Sequence, residues 1–183
     1  QLAATPGLKS IFALSPGLRI NGSAFARGLA DGAPEGTVIT GGLAGDGTAF
    51  KDTLTLLDGH ISGDEAVAFG LYGDSIAVGS GSHGGWKPFG PLRTVTRAVD
   101  NVLFELDGKP ALELYKTYLG DKASELPASG LLYPLSIVDG QNRAETGLIR
   151  TILDISEAEN SLILAGNLPT GCMVRLMHAD IDS

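Results

Sequence analysis

The sequence predicts an α+β fold, built from mostly antiparallel sheets in layers with two or three short helices. Three observations carry this prediction. Short apolar segments follow one another through turn dipeptides, instead of alternating with helices as a parallel sheet would require. Glycine is abundant, at 26 of 183 residues, about twice its usual share, and it has no collagen period. Only two or three stretches carry a helical pattern.

The elements read in order as follows. "SIFALS" (Ser10–Ser15) is a buried strand. "NGSAFARGLADG" is a short helix, with Phe25 and Leu29 on one face and Gly32 as a stop. "GTVIT" (Gly36–Thr40) is a second strand running into the glycine-rich loop "GGLAGDG" (Gly41–Gly47). A hairpin is expected about Asp58-Gly59, and another between "EAVAFGLYG" and "SIAVGSG", turning at Gly73-Asp74. "GSHGGWKPFGP" (Gly81–Pro91) reads as an irregular loop holding the only Trp. In "PLRTVTRAV", Arg93, Val95 and Arg97 share one face of a strand that turns at Asp100-Asn101 into "NVLFELDG".

The clearest helix is "DGKPALELYKTYLG", starting at Asp107 or Lys109, with Pro110 in its first turn and Gly120 as its stop. Leu112, Tyr115 and Leu119 share its apolar face. "GLLYPLSIVDG", "TGLIRTILDIS", "NSLILAGN" and "GCMVRLMHAD" read as four further strands, which brings the expected number of strands to about ten.

The bulk numbers bound the function. Formal net charge is −8, which argues against nucleic acid or an anionic membrane as partner, since both need a basic face. No run of about 20 apolar residues is present to span a bilayer. The N-terminal "QLAATPGLKS" is no secretory signal. Cys172 is the only cysteine; it reads as a core residue on an apolar strand, and its solitude fits a cytoplasmic location.

Familiar catalytic and cofactor motifs fail on context. Gly79 to Gly84 spells GxGxxG, but no helix can follow in "GWKPFGP" to meet a pyrophosphate. No P-loop and no nucleophile elbow occur. His60, His83 and His178 lack zinc spacing. His83 is either a solvated loop residue or the single axial ligand of a haem. No nucleophile–base pair or carboxylate dyad is readable, so the chain is expected not to be an enzyme.

The remaining site candidates each carry two readings. Trp86 is either the aromatic wall of a ligand pocket or a plug between sheets, with His83, Lys87, Arg97, Asp107 and Asp46 as the polar groups around such a pocket. Arg93 and Arg97 either clamp a ligand carboxylate or form a solvated face. Asp107 either holds a ligand amine or caps the helix. Asp46 lies in a glycine-rich stretch that is either an anion-binding nest or a tight turn.

The segments "TGGLAGDGTAFKDT", "AVAFGLYG", "GGWKPFGPLRTVTRAVDNVLFELDGKPALELYKTYLG", "LPASGLLYPL" and "SLILAGNLPTG" together resemble the FIST domain family, named for F-box and intracellular signal transduction proteins. The resemblance runs from about Leu8 onward. It implies a cytoplasmic sensory module that binds a small ligand, an amino acid in class, and relays to a signalling partner such as a histidine kinase of a two-component system. Two alternatives are carried with it: a haem-binding nitric-oxide sensor, and an interaction scaffold that binds nothing. It also implies a seam near Glu105–Ala111. On that reading 1–106 is the C-terminal portion of a FIST N-like domain and 107–183 the N-terminal portion of a FIST C-like domain. The chain then resembles the middle of a longer protein, whose exposed edge strands would favour a homo-oligomer.

Overall fold

The structure is a computed structural model and describes residues 2–81, 84–140 and 145–179. The fold is α+β, and it divides into two compact units, 1–83 and 84–183.

The first unit is a three-stranded sheet with one helix. Strand β1 (Leu8–Pro16) is central, and helix α1 (Gly22–Gly32) leads to β2 (Val38–Ala44), which pairs with β1 in parallel. Asn21 caps α1 by accepting from the amides of Ser23 and Ala24, satisfying two donors that the helix cannot. The hairpin β3 (Thr55–Leu57) and β4 (His60–Ser62) turns at Asp58-Gly59, as expected. Strand β5 (Val67–Tyr72) pairs antiparallel with β1. Leu8, Ile11 and Ala13 are buried beneath Phe25 and Leu29 of α1.

Two expectations for this unit change. Residues 75–81 form no strand, and β5 pairs with β1 instead of with "SIAVGSG". Gly41 to Ala44 extend β2 rather than forming a loop. A Cβ on Gly41 would stand 1.7 Å from the Ala13 carbonyl oxygen, so glycine permits the close approach of β1 and β2.

The second unit contains β6 (Trp86–Val99), β7 (Val102–Leu106), the short β8 (Lys109–Pro110) and α2 (Ala111–Leu119). Then come β9 (Leu135–Val138), β10 (Glu145–Arg150), β11 (Ile152–Ser156), β12 (Ser161–Leu164) and β13 (Met173–Ala179). Seven of these strands run in the order β10-β9-β13-β6-β7-β12-β11, with β8 added on β7. Here "TGLIRTILDIS" makes two strands, not one. They occupy opposite ends of the sheet, yet only Thr151 separates them. Consecutive Cα atoms lie about 3.8 Å apart, so the sheet has to curl until its two ends meet. Ala111, Leu112, Tyr115 and Leu119 of α2 pack into one buried cluster with Val95, Leu103, Leu135, Ile152, Leu162 and Val174. The Tyr115 hydroxyl donates to the Tyr133 carbonyl at 2.7 Å, and burial pushes its ionisation far up.

Three further expectations change here. Trp86 opens β6 instead of sitting in a loop. Pro88 and Pro91 are tolerated in that strand because β7 pairs only with its Val95–Val99 end, so one edge of the proline-bearing part needs no ladder donor from β7. Asp107 does not cap α2: with Gly108 it forms a turn of φ 50° and 74° joining β7 to β8, the geometry Asp-Gly favours in hairpins. The helix begins only at Ala111, after Pro110. Cys172 is half-buried in the turn before β13, where it packs against the core cluster without being fully enclosed. Burial pushes its thiol ionisation up.

Candidate functional site

Helix α2 has two faces. Leu112, Tyr115 and Leu119 are buried; Pro110, Glu113, Leu114, Thr117 and Tyr118 recur at helical spacing on the other side. That second face, with Lys109 and with Arg93 of β6, lines an open cleft of about 650 Å³. Small-ligand sites commonly span roughly 300–1,000 Å³.

Arg93 is the centre of the site. Its Nε donates to the Tyr118 hydroxyl at 3.0 Å, and its Nη2 also points at that oxygen. Its Nη1 donates to Asp107 Oδ2 at 3.0 Å. The other Asp107 oxygen, Oδ1, accepts from the Thr94 amide at 2.8 Å. Thr96 Oγ1 accepts from the Gly108 amide at 2.9 Å and steadies the same turn. Arg93 and Asp107 are 31% and 35% exposed; Arg93 lines the cleft, and Asp107 holds it from behind that wall without being sealed from solvent. The Thr94 amide first, then Arg93 and Lys109, hold the Asp107 carboxyl below the usual carboxylate range. Tyr118 first, then Asp107, raise the Arg93 guanidinium. A planar guanidinium with a second cation, a carboxylate and two hydroxyls close by can bind a small molecule bearing both a carboxylate and polar groups.

The structure brings Asp107 to Arg93, not to Arg97. Arg97 instead bonds Glu105 at 3.0 Å and lies over the Phe104 ring. Trp86 is half-buried opposite Ala179, and Lys87 stands exposed opposite His178. Neither is among the residues lining the α2 cleft. His83 lies outside the described residues. Asp46 is in the first unit, where its carboxylate accepts from the amides of Phe50, Lys51 and Asp52, which lowers its pKa. The glycine-rich stretch brings two backbones close at Gly41, and beyond it the Asp46 carboxylate ties the following loop. Among the cleft residues, Lys109 carries from sequence only the expectation of a helix start, and Glu113, Thr117 and Tyr118 carry no site expectation. The signal for these last three is the helical spacing of the polar face of α2, which is as regular as that of the buried one.

A smaller, apolar cleft of about 290 Å³ lies in the first unit between α1 and β2, walled by Phe25, Leu29, Ile39 and Leu43. Among the described residues, no three His, Cys, Asp or Glu side chains form a group able to hold a metal ion. No described helix is long and apolar enough to cross a membrane.

The chain matches the models of two signal-transduction-associated domains over almost its whole length. The model of the FIST N domain matches residues 1–109 and that of the FIST C domain residues 111–183, so the chain belongs to the FIST family. The family boundary falls at β8, between the hairpin that supplies Arg93 and Asp107 and the helix that supplies Tyr118. An uncharacterized protein of Methanocaldococcus jannaschii is 26% identical over 159 residues, covering 79% of this chain. The chain spans only about 30% of that relative's length. No solved structure matches it.

Proposed function

We propose that this chain is the non-catalytic sensing part of a signalling protein, and that it binds a small amino-acid-like molecule in the α2 cleft. Arg93 receives the ligand carboxylate, Lys109 adds positive field, and Glu113 faces a ligand amine. Binding is relayed to a cytoplasmic signalling partner of the histidine-kinase kind by favouring one of two conformations, which requires that the ligand bind them unequally. The observation that carries this reading is the Arg93 guanidinium, partly exposed in the wall of an open cleft that also holds Lys109 and Glu113.

Calorimetric titration with the proteinogenic amino acids and their decarboxylated amines tests it. At least one amino acid should bind with a dissociation constant of about 1 mM or tighter, its amine should not, and Arg93→Gln should weaken binding by roughly tenfold or more. Binding that survives Arg93→Gln unchanged, or no binding at all, would sink the assignment.

A further inference from the structure

We infer that Asp107 is the specificity-determining residue of this cleft: its carboxylate occupies Arg93 as an internal stand-in, and an incoming ligand carboxylate takes its place. The inference rests on the reading of the cleft given above.

The geometry separates the two jobs of Asp107. Oδ1 serves the backbone at Thr94, and Oδ2 serves Arg93. A concerted change of both side-chain torsions would pivot the carboxylate about Oδ1, releasing Oδ2 while Oδ1 stays near the Thr94 amide. The released oxygen is not left without a cation. Lys109, two residues on and lining the same cleft, already acts electrostatically on Asp107. Tyr118 keeps the guanidinium in place through Nε and Nη2 while Nη1 changes partner.

The charges around the cleft support an exchange over an addition. Arg93 and Lys109 are balanced by Asp107 and Glu113. A ligand without a carboxylate has nothing to offer in place of Asp107, so Arg93 stays occupied. A ligand with one competes on equal chemical terms. The internal competitor lowers apparent affinity by the fraction of time Arg93 is free. It thereby sets both the ligand class and the working concentration.

Asp107→Asn tests this, because asparagine keeps an oxygen for the Thr94 amide and loses the charge that holds Arg93. The probes are the amino acids and amines of the titration above. A competitor role predicts that the variant binds the carboxylate-bearing probe about two- to fivefold more tightly, the scale of a partly exposed ion pair. A supporting role, in which Asp107 only orients Arg93, predicts weaker binding. Unchanged or weaker binding in a folded variant overturns the inference and leaves the reading of the cleft intact. A wild-type protein that binds no probe overturns both. A second measurement uses the wild type alone: the Asp107 carboxyl carbon is titrated by NMR with and without saturating probe. Losing Arg93 should move its titration to higher pH; an identical curve in both states overturns the exchange even where the variant does not fold.

Discussion

The Arg97 guanidinium lies 4.3 Å from the centre of the Phe104 ring, while its Nε donates to Glu105 at 3.0 Å. Phe104 and Glu105 are consecutive on β7, so they point to opposite sides of the strand. One arginine reaches both because the β6–β7 register shifts on either side of Arg97. This cross-strand clasp answers what Arg97 does, and it is a structural answer. A double-mutant cycle of Arg97→Met and Phe104→Leu should give a coupling of about 0.5–1 kcal/mol, the range for an exposed cation–π contact. A coupling of zero in denaturant melts would mean the contact carries no stability. Neither variant should alter amino-acid binding.

Gly41 and Gly42 are adjacent and should respond oppositely to alanine. At Gly41 φ is 147° and the new Cβ would collide with the Ala13 carbonyl; at Gly42 nothing lies within 4 Å. Gly41→Ala should cost roughly 3 kcal/mol or more, since strain and clash add. Gly42→Ala should stay within about 1 kcal/mol. Thermal melts of the two variants make the comparison. Equal behaviour would contradict the close β1–β2 approach.

Acid stability should report on Asp107. Its carboxyl titrates below the ordinary value of 3.8 in the folded protein, so the folded state binds its proton less readily than the unfolded chain does. The stabilisation is therefore fully present above the unfolded value and is lost as pH falls through the folded one. Denaturant melts between about pH 2 and pH 5 should show a shallower acid slope in Asp107→Asn than in the wild type. Parallel slopes would show that the Thr94 and Arg93 bonds contribute nothing.

Asp46 should act as a loop tie. Its carboxylate accepts from three amides, those of Phe50, Lys51 and Asp52, over distances of 2.7–3.1 Å. In Asp46→Ala those three amides should exchange with solvent faster, while the amides of β1 keep their protection. Exchange rates unchanged at all three positions would remove this role.

Much of the architecture was legible because the signals are local. Asn21 and Gly32 bound α1, Leu112, Tyr115 and Leu119 mark one face of α2, and the Asp58-Gly59 turn sets its hairpin through backbone geometry available to two residues alone. The Asp107-Gly108 turn obeys the same rule. From sequence it reads as a helix start because Pro110 and the apolar period follow so closely that the local signals overlap. From sequence Trp86 reads as a loop residue because prolines and glycines dominate its surroundings. A strand with an edge left unpaired by β7 accepts those residues, and no sequence window records which edge is unpaired.

The sequence by itself determined the α+β class, most of the segments that form strands or helices, and the family. These follow from periodicity, turn chemistry and long matching stretches within the chain. Only the tertiary structure decided that β10 and β11 end at opposite ends of one curled sheet, that Arg93 meets Asp107 and Tyr118, and that Arg97 meets Phe104 and Glu105 instead. Arg93 and Arg97 look alike along the strand. Their hydrogen-bonding partners come from residues 8 to 25 positions away, and register shifts decide which side chain each arginine can reach.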